Sequence, residues 1–519
     1  MGETDGGGAA TPSAVPRRGV LGIGAVVATG VLGTALAGCS RAQAALAVPR
    51  VTGDSLNAKE LGATGDGVHD DAPALQAAID KAAEERMVLV LPAGSYLLGS
   101  TLNLHSQVAL QGVGMKSSIL QTTASAPVLR LNGVGHCRLE EFGIQPGSGV
   151  PGMVAIDASL ANNVLVQAID VHGPGSGIVL DKSDLFFVHH CNFSGLTGAA
   201  VSIQGGSHDS FFDRLIVYNE QLPRAQRGIG FELINGSAIS ISNCDIMGCA
   251  HGLIAAPGSG EGVEWIRCES SYFDNAVSEG VLLSTAGGGV AQSMSFVGCW
   301  ISSSHTASGV GLDGVSGAEF AFCEIYNNAH AGVSVMRYSP GCRFFGGNIV
   351  SNNASQGSYA NVEISAAYGG TGGVWFDGVD LRVKGYMFSA GAVRSVHVAA
   401  GTSSDYRITN CMVDGAAPAI EDGGLGSGRR ILGNAGFNPR GWAVATPSLP
   451  AGTGSGYAVQ NTHAYPVSVY QTGGRGMHVV DPLGTDYALP ATPAVWTLDP
   501  DARVYYTAAV PADWRWYGH

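Results

Sequence analysis

The sequence predicts an all-β chain dominated by a parallel β-helix, and three observations carry that expectation. One phrase recurs between residues 128 and 420: a small residue or Gly, an alternating apolar strand, a polar turn, then a second strand. Gly177-Ile178-Val179-Leu180-Asp181 with Val188-His189-His190-Cys191-Asn192-Phe193 is one copy, and Gly309-Val310-Gly311-Leu312-Asp313 with Phe320-Ala321-Phe322-Cys323-Glu324-Ile325 is another. An inward ladder position recurs as Phe142, Ile169, Cys191, Leu215, Cys244, Cys268, Cys299, Cys323, Gly347, Val379 and Cys411, 22 to 32 residues apart by subtraction. Units of that length, made of short strands without amphipathic helices, bury their apolar faces only by stacking. Small residues and Asn at the corners suit a β-helix, and the Leu-rich phrase of leucine-rich repeats is missing. Finally, 77 glycines and only 13% charged residues fit a β-rich chain with many tight turns.

Residues 1–44 read as an export signal and tether, outside fold reasoning. Arg17-Arg18 precede the apolar, Gly-rich run 19–37, which ends in Leu36-Ala37-Gly38-Cys39. The paired arginines resemble a twin-arginine signal, with Val20 where that signal prefers Phe. The last four residues resemble a bacterial lipobox, which implies lipidation of Cys39 and a cell-surface lipoprotein. A cut after Ala42-Gln43-Ala44 would instead release a secreted protein. No later stretch is apolar over the length a bilayer needs, so the only expected membrane contact is that lipid anchor.

Residues 45–125 read as an N-terminal cap. A helix is expected over 72–85, with Pro73 in its first turn and Asp70 or Asp71 capping it. A strand, Val88-Leu89-Val90-Leu91, runs into a Pro-Ala-Gly turn. The phrases GATGDGVHDDAPALQAAIDKA and LVLPAGSYLL resemble the N-terminal cap of the pectate-lyase-like, rhamnogalacturonase-related β-helix superfamily. The resemblance covers residues 57–120. It implies a right-handed parallel β-helix, often trimeric, frequently acting on polysaccharide, by hydrolysis, elimination or epimerisation or as a phage tailspike. Asp66, Asp70 and Asp71 belong to the cap and read as structural. The polygalacturonase phrases are not intact and the Ca-dependent lyase phrases are absent, so no catalytic residue transfers.

The coils occupy 126–430. Six of the ten cysteines sit at the ladder position, facing inward. Parallel neighbours point the same way rather than at each other, so they read as a buried thiol stack, not disulfides. No Cys-x-x-Cys spacing points to a metal. After a Gly-rich break at 423–430, residues 431–519 form a β-rich module that resembles a small β-sandwich. Its Trp514 and Trp516 read as core, with sugar stacking as the alternative.

Chemistry is sought on the coils. Aligning first strands on the apolar pairs Val154/Ile156, Ile178/Leu180, Val201/Ile203 and Ile229/Phe231 lines up Asp157, Asp181, Gln204 and Glu232 outward. Stacked carboxylates would perturb one another and supply an acid and a base. A solvated polar stripe at strand ends is the plain alternative. The insertion 207–227 brings His208, Asp209, Arg224 and Arg227, and His251 opens the next coil. His208, Arg224, Arg227 and His251, with Gln204 of the column, would contact substrate, and Asp209 is an outside catalytic candidate. The net charge of −14 argues against nucleic acid. The expectation is therefore an exported glycoside hydrolase without cofactor, using Asp181 and Glu232 with Asp157. A polysaccharide lyase, with Ca²⁺ at the carboxylates, and a non-catalytic glycan-binding β-helix are the alternatives. A homotrimer is a further possibility.

Overall fold

The computed structural model describes residues 55–365, 373–384, 391–403, 405–425, 428–437, 444–489, 492–493 and 495–518. The signal segment, with Arg17, Arg18 and Cys39, lies outside the described residues, as does Asn438-Pro439-Arg440-Gly441. The expected parallel β-helix is present, about thirteen turns of it. Three parallel sheets of 17, 12 and 13 strands, here A, B and C, run along the solenoid. One coil shows why. Gly175–Asp181 lies in sheet C, Asp184–His189 in sheet A and Asn192–Ser194 in sheet B, before Val201–Gln204 begins the next rung of C. Each strand is only two to seven residues long because a corner follows, and left-handed residues such as His190 (φ 54°) make the corner between A and B.

The helix Ala72–Glu85 caps the first coils with buried Ala72, Leu75, Ala78, Ile79 and Ala82. Asp71 occupies its N-cap position, yet the carboxylate turns back to accept from Thr64 N, Thr64 Oγ1 and Gly65 N at 2.6–3.0 Å. Asp70 instead accepts from Ala72 N and Gly99 N. The cap's aspartates hold local backbone, as their position in the sequence implied.

Inside the solenoid, like stacks on like. Phe296, Phe320, Phe344 and Phe376 form a parallel ladder with centroids 4.6, 4.7 and 4.8 Å apart. Asn328, Asn352 and Asn361 form a fully buried amide ladder: Asn352 Nδ2 donates to Ile325 O, Val350 O and Asn361 Oδ1, and its Oδ1 accepts from Asn328. The amides close backbone groups that the corner leaves open.

The nine cysteines at 137–411 are all buried and unpaired. Burial pushes the thiols of Cys191, Cys244 and Cys249 up to about 12. One ladder assignment is corrected. Cys268 pairs in register with Ile241 and Phe296 inside sheet A, and Ser271 takes the corner between Cys244 and Cys299. The shift brings Cys268 Sγ to 3.8 Å from Cys299 Sγ. A thiol-specific disulfide reagent is expected to leave all nine unmodified in the native protein and to titrate them once denaturant is added. Rapid modification of any of them in the native state would contradict a closed core.

The C-terminal module is one five-stranded antiparallel sheet, in place of the two stacked sheets of a sandwich. Its long strands Val467–Val480 and Arg503–Gly518 pair with each other and change register near Gly473 and Met477. Trp514 and Trp516 are 4% and 1% exposed and pack edge to face at 5.5 Å, so they are core.

Candidate functional site

The register separates the carboxylates that the sequence had lined up. Ile156, not Val154, pairs with Ile178, and Phe231 pairs with Val201, so the first and fourth coils shift by two residues. Asp157, Val179, Ser202 and Glu232 then share one outward column of sheet C, and Ser159, Asp181 and Gln204 share the next. Asp157 and Glu232 are three rungs apart, about 14 Å, and Asp181 stands beside Ser159 rather than above Asp157. Asp157 is occupied by Arg130 Nε at 3.3 Å, and Glu232 accepts from Ser202 Oγ at 3.1 Å. His208 and Asp209 pair with each other at 3.0 Å, exposed at the start of a sheet A strand. Asp157 and Asp181 stand one rung and two residues apart with Asp157 engaged by Arg130, Glu232 is two rungs beyond Asp181's, and Asp209 lies on sheet A, so no two of the four stack directly on one another.

A denser constellation lies on the outer face of sheet B. Its strands Asp245–Met247 and Tyr272–Asp274 bury only the middle residue, while Trp300–Ser302 and Glu324–Tyr326 bury Ser302 and Tyr326 as well. In register, Asp245, Tyr272, Trp300 and Glu324 form one column and Met247, Asp274, Ser302 and Tyr326 the other. Asp245 and Asp274 sit one rung and two residues apart, about 8 Å at the backbone. Burial, reinforced by the charge of Asp274, raises the Asp245 carboxyl above its ordinary value. Asp274 is held differently: its Oδ1 accepts from Ser302 Oγ at 2.5 Å and from Asn275 N at 3.0 Å. Ser302 Oγ in turn accepts from Trp300 Nε1 at 2.7 Å. The indole N–H thus orients the hydroxyl that supports the carboxylate.

Aromatic rings extend the face on the next rungs. Tyr272 and Trp300 are 5.5 Å apart, and Trp300 and Tyr326 5.0 Å, all tilted. Tyr272 is 46% exposed and Tyr218, two rungs earlier, 39%. Such rings offer flat apolar surface beside polar tips, the combination a sugar ring needs.

The insertion begins later than expected. Residues 207–213 and 216–218 are regular strands of A and B, and the true loop runs 219–230 between sheets B and C. Arg227 staples that loop, donating from Nε to Leu222 O and from Nη2 to Glu220 O, both at 3.0 Å. Arg224 reaches across to His305 Nδ1 at 3.1 Å. His305 is held below its usual value by burial, then by Arg224 and Arg227, while Glu220 and Asp274 act the other way. The loop therefore places Arg224 and Glu220 within the electrostatic reach of the Asp274 side of sheet B. His251 lies nearby at the opening of a sheet C strand, 3.4 Å from Glu279 Oε2, and burial lowers it. Of the residues expected to contact substrate, Arg224 adjoins this site, Arg227 positions its loop and His251 pairs with Glu279. Gln204 and His208 stand on other faces. Among the described residues, no group of three or more His, Cys, Asp and Glu is placed to hold a metal ion.

Gly248 (φ 66°) lets the loop approach. A Cβ there would meet Glu220 Cγ at 2.4 Å and its backbone N at 2.8 Å. Gly248→Ala is expected to push the loop outward, raising KM several-fold with a smaller change in kcat, measured on whichever polymer the protein turns over.

Against known proteins, the family model described as rhamnogalacturonase A/epimerase, pectate lyase-like, matches residues 55–136. The model of a right handed beta helix region matches residues 176–303. The mannuronan C5-epimerase AlgE3 of Azotobacter vinelandii is 44% identical over 73 residues, 12% of this chain and 4% of that protein, so the match spans a small part of its length. Three solved structures share the architecture. The A-module of mannuronan C-5 epimerase AlgE6 of Azotobacter vinelandii aligns over 76% of this chain and 100% of its own, with 18% identity and a TM-score of 0.53. The N-terminal fragment of bacteriophage phi29 gene product 12 covers 73% and 70%, with 16% identity and a TM-score of 0.57. A mutant tailspike of E. coli bacteriophage HK620, in complex with a pentasaccharide, covers 90% and 94%, with 13% identity and a TM-score of 0.51. At these identities the likeness is one of fold.

Proposed function

We propose that this chain cleaves glycosidic bonds in a polysaccharide on the outer face of sheet B, with Asp245 as general acid and Asp274 as the carboxylate base. One observation carries the reading: two carboxyls on adjacent rungs have environments that differ in the sense an acid and a base require. Asp245 is raised by burial and by Asp274, the direction a general acid needs, and Asp274 is fixed by Ser302 and Asn275. Their backbone spacing of about 8 Å leaves room for a water between them. Tyr218, Tyr272 and Trp300 would carry sugar rings along the solenoid axis. The fold supports the reading, because its relatives include a tailspike solved with a pentasaccharide and epimerases named for a polysaccharide substrate.

A panel of polysaccharides tests it, assayed for new reducing ends and for absorbance of unsaturated products. Reducing ends without unsaturation, lost in Asp245→Asn and retained in Asp181→Asn/Glu232→Gln, are the expected result. Unsaturated products would overturn hydrolysis in favour of elimination. Glycan binding without any cleavage would overturn the enzyme and leave an adhesive β-helix. Export by the Arg17-Arg18 segment and acylation of Cys39 belong to the same proposal. The mass of the protein recovered from its producing cells reads them, as a lipid-bearing N-terminal Cys39 or as a free N-terminus after Ala44.

A further inference from the structure

We infer a second binding site on sheet A, separate from the cleavage face, that takes an anionic polysaccharide strand through an Arg343–Trp375–Arg407 clamp. The three residues occupy one outward column on successive rungs, Arg343 beside Trp375 and Trp375 beside Arg407. The Arg343 guanidinium carbon lies 4.9 Å from the Trp375 ring centroid and that of Arg407 4.3 Å, one from each neighbouring rung. The indole therefore separates two cations that would otherwise repel, and it holds both within about 9 Å of each other.

The partners of these arginines set them apart. Arg130, Arg138, Arg337, Arg382 and Arg394 each bind a carboxylate. Arg343 and Arg407 are exposed, and among the described residues neither is in an ion pair. Carboxylates nearby are engaged elsewhere or unengaged with the clamp. Asp377 accepts from Thr409 Oγ1 and Asn410 Nδ2, and Asp405 accepts from Gly428 N. Glu319 precedes Arg343 in the column without an ion pair to it. In a chain of net charge −14, two unneutralised guanidiniums pre-organised on an aromatic ring form a local exception to the surrounding field. Planar forks of this kind match carboxylate or sulfate oxygens. Two of them on one column, along the axis of the solenoid, suit an extended polymer that carries charge at intervals rather than a single small anion.

The site does not depend on the cleavage chemistry, and the test keeps the two apart. The full chain carrying Asp245→Asn, so that no polymer is cut, is run by affinity electrophoresis through gels holding carboxymethyl-dextran or unmodified dextran. These two share a backbone and differ in charge. Retardation by carboxymethyl-dextran alone is expected, weakening as salt shortens the Debye length from about 10 Å at 0.1 M towards about 3 Å at 1 M. Adding Arg343→Gln/Arg407→Gln is expected to weaken the apparent affinity by about tenfold, with an unchanged melting midpoint. Trp375→Leu is expected to give a smaller loss, since the charges remain but lose their spacer. Equal retardation with and without the two arginines would overturn the inference, as would equal retardation by the neutral polymer. Inorganic pyrophosphate competing as well as the polymer at matched charge would overturn the polymer and leave a small-anion site. Cleavage by the chain with intact Asp245 but without the two arginines reads the sheet B reaction independently, and it is expected to be unchanged on a neutral substrate.

Discussion

Asp245→Asn is expected to lower kcat on the polysaccharide substrate by about 10³-fold, the share that a positioned general acid contributes. Asp274→Asn is expected to do the same by removing the base. Their pH profiles separate the roles. Activity falls on the alkaline side as Asp245 loses its proton, and that limb sits high because burial and the Asp274 charge raise Asp245. Taking the Asp274 charge away lowers Asp245, so the residual activity of Asp274→Asn is expected to show its alkaline limb at lower pH. A limb that stays in place, or moves up, would contradict the pairing. Stability carries a second sign. A carboxyl raised in the folded state costs nothing below the ordinary carboxylate range, where both states hold the proton. The cost grows as pH rises through the folded value, because the unfolded chain gives up its proton first. Asp245→Asn is therefore expected to melt higher than the parent at neutral pH, with the gain vanishing in acid. Inactive but more stable is the combination that a catalytic carboxyl predicts and a structural one does not.

Phe320→Ala is expected to destabilise the solenoid by about 4 kcal/mol, measured by denaturant unfolding. Phe320 is 1% exposed and stacks on both Phe296 and Phe344 at 4.6 and 4.7 Å with interplanar angles of 4°. Its loss opens a cavity in the middle of a ladder whose backbone is fixed by parallel pairing on both sides, so neighbouring rungs cannot close over it. Phe320→Leu keeps most of the buried area and is expected to cost less than half as much. Equal costs for the two would mean that stacking geometry, rather than buried volume, sets the stability of the ladder.

The solenoid was legible because burial enforces its periodicity. Inward residues are apolar on most rungs, so Phe142, Ile169, Cys191 and Leu215 mark the coils in the bare sequence and stack as read. Register was less legible. Val154 and Ile229 are apolar yet lie outside the inward pairs, and aligning on them displaced Asp157 and Glu232 by two residues. Cys268 was misplaced for a related reason: it is a small buried residue in a sheet A strand where a neighbouring coil carries Phe296. The site was hidden by strand length. Three-residue strands such as Asp245–Met247 and Tyr272–Asp274 present just two outward residues each, too few for a pattern. A signal was nonetheless there. The residues flanking each inward apolar position after the corner read Asp-Ile-Met, Tyr-Phe-Asp, Trp-Ile-Ser and Glu-Ile-Tyr, a run of acids and aromatics in consecutive coils. That column, unlike the one on sheet C, joins carboxyls to aromatic rings.

The most direct measurement of the central claim is a crystal structure of the full chain carrying Asp245→Asn, soaked with oligosaccharides from the polymer it degrades. Sugar rings lying along Tyr218, Tyr272 and Trp300, with a glycosidic oxygen within hydrogen-bond reach of residue 245 and Asp274 facing the anomeric carbon, are the predicted result. An oligosaccharide seated instead over Asp157, Asp181 and Glu232 on sheet C, with sheet B bare, would contradict it.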